Sequence, residues 1–206
     1  MSLLMKNFNP KVNKMLKDLI AQNRSCRRYF QDKTVSEDTL KDLVNLARLS
    51  ASAANRQPLK YILSSDPAAN DKIFSCLAWA AYLKDWPGPS EGERPPAYII
   101  ILGDTSVASE FWSDHGIASQ SILLGAREKG LAGCMIGAIN RDKLRTFLQL
   151  PPHQEILLVL AIGEPKEKIV LETVDADGNI RYWRDDTGLH HVPKRKLDDI
   201  IFKTFS

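Results

Sequence analysis

The stretch AYIIILG, residues 97–103, runs without a charged residue or any alternation of polar and apolar positions. A run of this length and composition is a strand with no face to give to water, so it is expected to be buried on both sides. EILLVLAIG, residues 155–163, makes the same demand. Two such strands fix the centre of a fold, and the remaining elements must cover them.

Those elements follow from periodicity and end signals. Pro10 suits a first helical position with Asn9 as its cap, and Val12, Met15, Leu16, Leu19 and Ile20 recur at helical spacing to about Asn23. Ser36 can cap a second helix whose apolar face is Leu40, Leu43, Val44 and Ala47, with Glu37 and Asp38 at the positive end of its dipole. LKYIL (59–63) and LAGCMIGAI (131–139) read as strands, and NRDKLRTFL (140–148) reads as a helix. A helical piece is expected over Lys72 to Tyr82, then a polar, proline-rich loop, KDWPGPSEGERPP (84–96). The longest helix is expected from Ser106 to Lys129, ended by Gly130, with Gly116, Ala118, Ser119, Gly125 and Ala126 permitting close packing within the core or against a second subunit. KIVLETV, the turn Asp177-Gly178-Asn179 and IRYW suggest a hairpin, and VPKRKLDDIIFKTF a basic tail with a short amphipathic segment. Strands interleaved with helices, and antiparallel pieces near the end, predict one α+β domain over residues 1–206.

Composition narrows the function. The chain has 206 residues, 44% hydrophobic and 26% charged, with a net charge of only +3 and no basic stripe, so a nucleic-acid partner is not expected. Cys26, Cys76 and Cys134 are far apart and form no CxxC pair, which points to reduced thiols in a cytoplasmic protein rather than to disulfides or zinc. No apolar stretch approaches the ~20 residues of a membrane span, and the N-terminus lacks a signal peptide's apolar block.

One segment asks for a ligand. NRSCRRYF, residues 23–30, crowds Arg24, Arg27 and Arg28 beside Ser25. Two guanidinium forks and a hydroxyl match the terminal oxygens of a phosphate monoester; the simpler reading is that arginines near a helix C-terminus complement its dipole. No P-loop and no GxGxxG after a strand is present, so Walker-type and Rossmann nucleotide sites are not indicated. SASAANRQP (50–58) offers Ser52, Asn55 and Gln57, whose amides suit a planar heterocycle, or else a turn before Pro58. GCMIGA (133–138) carries glycines that allow a flat ligand or another backbone to come close. Lys194, Arg195 and Lys196 form a late basic run. Asp114-His115 and His190-His191 lack the context of a triad or a metal site and are expected at the surface.

In order along the chain, these pieces resemble the FMN-dependent nitroreductase family. The resemblance is carried by Asn23 to Tyr29 (NRSCRRY), Ser52 to Pro58 (SAANRQP), Asp114 to Gln120 (DHGIASQ), Lys129 to Gly137 (KGLAGCMIG), Ala161 to Pro165 (AIGEP) and Lys194-Arg195. It implies a nitroreductase-like fold, with a central, mainly antiparallel sheet flanked by helices, and a homodimer with flavin at the interface. It implies that Arg24, Ser25 and Arg27 hold the FMN phosphate and ribityl chain, joined by Lys194 and Arg195, while Arg28 falls at a variable position. Ser52, Ala53, Asn55 and Gln57 would reach the flavin partly from the partner chain. Met135, Ile136 and Gly137 would pack beside the ring, with a backbone N–H near Gly137 directed at it.

The activity so implied is an FMN-dependent oxidoreductase that takes electrons from NADH or NADPH and passes them to a nitroaromatic, quinone or related small electron-poor acceptor in a ping-pong cycle. The scheme requires no protein general acid and no metal, so no side chain is singled out as catalytic. Trp79, Tyr82, Leu83 and Trp86 are expected either as a lid over the ring or as core and turn aromatics. A flavin-binding, processing or sensing protein of the same fold is the alternative, and a flavin-free anion-binding module the third reading.

Overall fold

A computed structural model describes residues 10–83 and 85–205. Its centre is the sheet that the two apolar runs demand. The strands are β1 (Leu59–Ser64), β2 (Ala97–Asp104), β3 (Ala132–Ile136) and β4 (Gln154–Gly163), in the order β1-β2-β4-β3 with every neighbouring pair antiparallel. Every residue of β2 is buried. Along it the side chains alternate between two cores. Tyr98, Ile100 and Leu102 join Cys26, Tyr29, Ile73 and Leu144 on one side, while Ala97, Ile99 and Ile101 join Leu40, Leu43, Ala118 and Ile122 on the other.

The helices α1 (Pro10–Gln22), α2 (Glu37–Arg48), α3 (Pro67–Phe74), α4 (Asp114–Glu128) and α5 (Arg141–Leu148) complete the described elements of this layer. The Ser36 hydroxyl accepts from the Thr39 N–H at 3.1 Å and caps α2 as its sequence predicts. Asn140 caps α5 in the same way, through the Lys143 N–H. Gly130, at φ +77°, ends α4, and the Leu131 N–H returns to the Ala126 carbonyl. The Asn9 cap lies outside the described residues. The apolar stripe of α1 is not covered by its own chain: Met15, Leu16 and Ile20 are exposed.

Three expectations change. The helix expected from Ser106 begins instead at Asp114. Asp104 draws the Ser106 N–H and hydroxyl into a turn, and Trp112 takes a left-handed φ of 45°, which a helix cannot accommodate. The helix expected over Lys72–Tyr82 lies earlier, where Asp66 caps it through the Ala69 N–H and Pro67 occupies its first position. Beyond Phe74, Leu77 bridges to Ile139 and Ala80 has φ 43°. The expected hairpin is rewired. The strands β5 (Ile169–Thr173), β6 (Trp183–Arg184) and β7 (His190–Lys194) form a second sheet ordered β5-β7-β6, so β5 pairs in parallel with β7 and not with β6. After Lys194 the described chain forms neither helix nor strand, and Leu197, Ile200, Phe202 and Phe205 are exposed.

Candidate active site

The opening arginines sit where the two sheets meet. After α1 the chain runs beside β3: Ser25 bridges Gly133, and the Cys26 N–H donates to the Gly133 carbonyl at 3.0 Å. This approach requires glycine. A Cβ at position 133 would lie 2.6 Å from the Ala161 carbonyl oxygen and 2.5 Å from Leu123 Cδ2. On the far side, the buried Glu167 carboxylate accepts from the Arg27 N–H and from Arg184 Nη2, the latter at 2.9 Å. Arg27 is thereby fixed between the main sheet and the small one.

Arg24, Ser25 and Arg27 line a cavity of about 320 Å³ together with Asn23, Gln120, Met135, Tyr182, His190 and Lys194. Three cations and several amide and hydroxyl groups face it, and none of its lining residues is a carboxylate. Arg24 Nη2 donates to the Ile20 carbonyl at 2.9 Å, so the helix-end reading holds for one of its nitrogens. Its Nε is buried without a partner, and burial lowers its pKa. Arg27 is buried, its Nη1 lies 3.4 Å from His190 Nε2, and its guanidinium covers the Tyr182 ring at 4.8 Å. Arg28 turns away to Glu93 and Trp86.

A second cavity of about 250 Å³ shares Arg27, Met135 and Tyr182 with the first and extends to Ile136, Gly137, Trp79 and Ala81. Met135 is exposed toward this space, whereas the Ile136 side chain belongs to the core. At Gly137 a Cβ would meet only Leu158 Cδ2, at 3.9 Å, so the surface there is open. Trp79 is a core residue with its ring tilted against Phe74, and Trp86 lies under Arg184; of the aromatics considered for a lid, Tyr82 alone is exposed, resting on Tyr182.

The SASAANRQP segment stands elsewhere in the same chain. Ser52 and Gln57 line a separate cavity of about 160 Å³ with Tyr61 and Asp114, while Ala53 and Asn55 border none of these three spaces. Arg195 is exposed and outside the cationic cavity. Two histidine-bearing pairs expected at the surface are not there in full. Asp114 is buried under Ser52 and Ala53, and His190 is buried against Arg27. Strand alternation sends His190 inward and His191 to Glu172 and Asp185 on the other face. Gln120 and Tyr182 line the cavity without having been singled out from the sequence, although Gln120 closes one of the family-like runs. Among the described residues no group of His, Cys, Asp and Glu could hold a metal, and no helix is long and apolar enough to cross a membrane.

The same order of elements occurs in known proteins. A "Putative NADH dehydrogenase/NAD(P)H nitroreductase" of Methanothermobacter thermautotrophicus is 30% identical over 169 residues, covering 78% of this chain and 83% of that protein. The solved structure of a protein of the same name from Parabacteroides distasonis superposes with a TM-score of 0.63 at 26% identity, over 84% of this chain and 98% of that one. The fold is shared with the FMN-dependent nitroreductase of Clostridium difficile R20291, with a TM-score of 0.59 at 22% identity over 73% and 87% of the two chains. The model of the nitroreductase family matches residues 20–164, which hold the main sheet, the 23–30 segment and Gly137. The chain belongs to the nitroreductase family.

Proposed function

We propose that the protein is an FMN-dependent oxidoreductase that takes electrons from NADH or NADPH and reduces nitroaromatic, quinone or related electron-poor acceptors. The observation that carries this reading is the convergence of Arg24, Arg27 and Lys194 on a cavity lined by no carboxylate, with buried, unpartnered nitrogens on Arg24 and His190. The unpaired, buried guanidinium N–H of Arg24 in a cationic cavity calls for an oxyanion, and a phosphate offers several acceptors at once. Membership of the nitroreductase family and the name of the Clostridium difficile relative support FMN as the bearer of that phosphate.

Bound FMN would supply the two-electron chemistry. The chain's own residues bind and orient it. Arg24, Arg27, Ser25 and Lys194 hold the phosphate end; Met135 and Gly137 present a surface to the ring in the adjoining cavity; Trp79 walls that cavity from the core. A second copy completes the arrangement in this reading. The Ser52–Gln57 segment lies apart from the cationic cavity within one chain, and α1, α2 and α4 leave Met15, Leu16, Leu46 and Ile117 uncovered.

Anaerobic mixing of the purified, FMN-loaded protein with NADH or NADPH tests the reading. Bleaching of the flavin bands, followed by their return when a nitroaromatic or quinone is added, is expected. Bound flavin that neither nucleotide bleaches would instead identify a flavin-binding, processing or sensing protein.

A further inference from the structure

The cationic cavity contains a group that the family resemblance does not assign, on a strand beyond the 20–164 match. His190 is 1% exposed, lines the cavity, and has a buried Nδ1 with no partner. Its Nε2 lies 3.4 Å from Arg27 Nη1, and its ring packs on Tyr182 with centroids 5.3 Å apart.

We propose that His190 is an additional ligand of the bound anion and takes up a proton as the anion enters. This rests on the anion-site reading above, though not on the anion being FMN.

The groups around the ring set its charge state. Arg27 faces it from the 23–30 segment, Arg184 from β6, Glu167 from the loop before β5, and His191 adjoins it on β7; Arg24 and Lys194 line the same cavity. Burial, reinforced by Arg27, Arg184 and His191, outweighs the opposing Glu167 and lowers the pKa to about 4. His190 is therefore neutral near neutral pH in the empty protein. A phosphate dianion in the cavity changes the sign of the local field, because opposite charge at short range favours the protonated imidazole. The incoming proton comes from solvent. It gives the anion a further N–H donor without the cost of keeping another cation beside Arg27 when the cavity is empty.

The experiment is calorimetric titration of the full chain, freed of flavin, with FMN and separately with inorganic sulfate. It is run at about pH 7.5 in two buffers of different protonation enthalpy, a pH at which both ligands are largely dianions since a phosphate's second pKa is about 6. The wild type should take up a substantial fraction of a proton per anion, and His190→Gln should take up none and bind about tenfold more weakly. In parallel, NMR titration of the wild-type His190 imidazole should show its pKa rise on adding sulfate, a readout independent of how well the variant folds. Binding without proton uptake, equal uptake by His190→Gln, an unmoved imidazole, or no anion binding at all would overturn the proposal. Proton-linked sulfate binding with no FMN binding would sustain it while defeating the FMN reading.

Discussion

The Ser52 hydroxyl donates to one oxygen of Asp114 at 2.6 Å, and the Ala53 N–H donates to the other at 3.0 Å. A buried carboxylate at the start of α4 thus holds a segment whose backbone is strained, with positive φ at Ala54, Asn55 and Gln57. In the dimer proposed above, this is the segment that reaches the partner's flavin.

Asp114→Ala removes both acceptors and leaves the segment free to relax. It should lower stability by about 1–3 kcal/mol and weaken FMN binding, read by urea unfolding and flavin titration. Unchanged FMN affinity in a folded variant would show that the Ser52–Gln57 segment does not contact the cofactor.

The neighbouring arginines should separate by function. Arg24→Ala and Arg27→Ala should each weaken FMN binding by about 1.5–3 kcal/mol through lost charge-assisted bonds, whereas Arg28→Ala should leave it unchanged because Arg28 faces Glu93 and Trp86. Equilibrium titration by flavin fluorescence measures all three.

Gly133→Ala puts a methyl group 2.6 Å from the Ala161 carbonyl oxygen, in the joint that carries the 23–30 segment. Neither backbone can yield without breaking sheet pairing, so the variant should lose about 1–3 kcal/mol, seen as a lower thermal midpoint.

His191 contributes a pH dependence of definite sign. Its hydrogen bonds to Glu172 and, at 3.3 Å, to Asp185 raise its pKa above the ordinary value of 6.5. Stability from this group is fully present below about 6.5 and is lost as pH rises through the higher folded value. His190, lowered to about 4, acts oppositely, losing stability as pH falls from 6.5 toward that value. Urea midpoints taken between about pH 6 and pH 9 should fall with rising pH in the wild type and flatten in His191→Gln, with Trp183, stacked on His191 at 4.0 Å, as the probe. Identical slopes would show that His191 carries no charge across that range.

The sequence was most legible where one physical demand acted alone. AYIIILG forms a strand buried throughout, EILLVLAIG a strand fully buried from Val159 onward, and Ser36 could be read as a cap from local chemistry. The arginine cluster could be singled out because like charges crowded into six positions ask for a compensating partner, and the structure brings Arg24 and Arg27 to one cavity with Lys194. Reading failed where a distant contact decided the local form. Ser106 to Ser113 has helical composition, yet Asp104 and the left-handed Trp112 hold it as turns. A turn closes one step earlier than expected, with the Gly178 N–H donating to the Asp175 carbonyl at 3.0 Å, and β5 takes β7 as its partner; no local pattern encodes a parallel pairing across that distance. His190 was missed for the same reason: adjacent histidines look alike in a string and part company only when a strand sends them to opposite faces.

The most direct test compares FMN with riboflavin, which differs by the phosphate alone. If the Arg24–Arg27–Lys194 cavity is the phosphate site, the purified chain should bind FMN at one per protomer and riboflavin at least about a hundredfold more weakly, as expected for the loss of several charge-assisted hydrogen bonds. Equal affinity for the two, or no binding of either, would contradict the account at its centre.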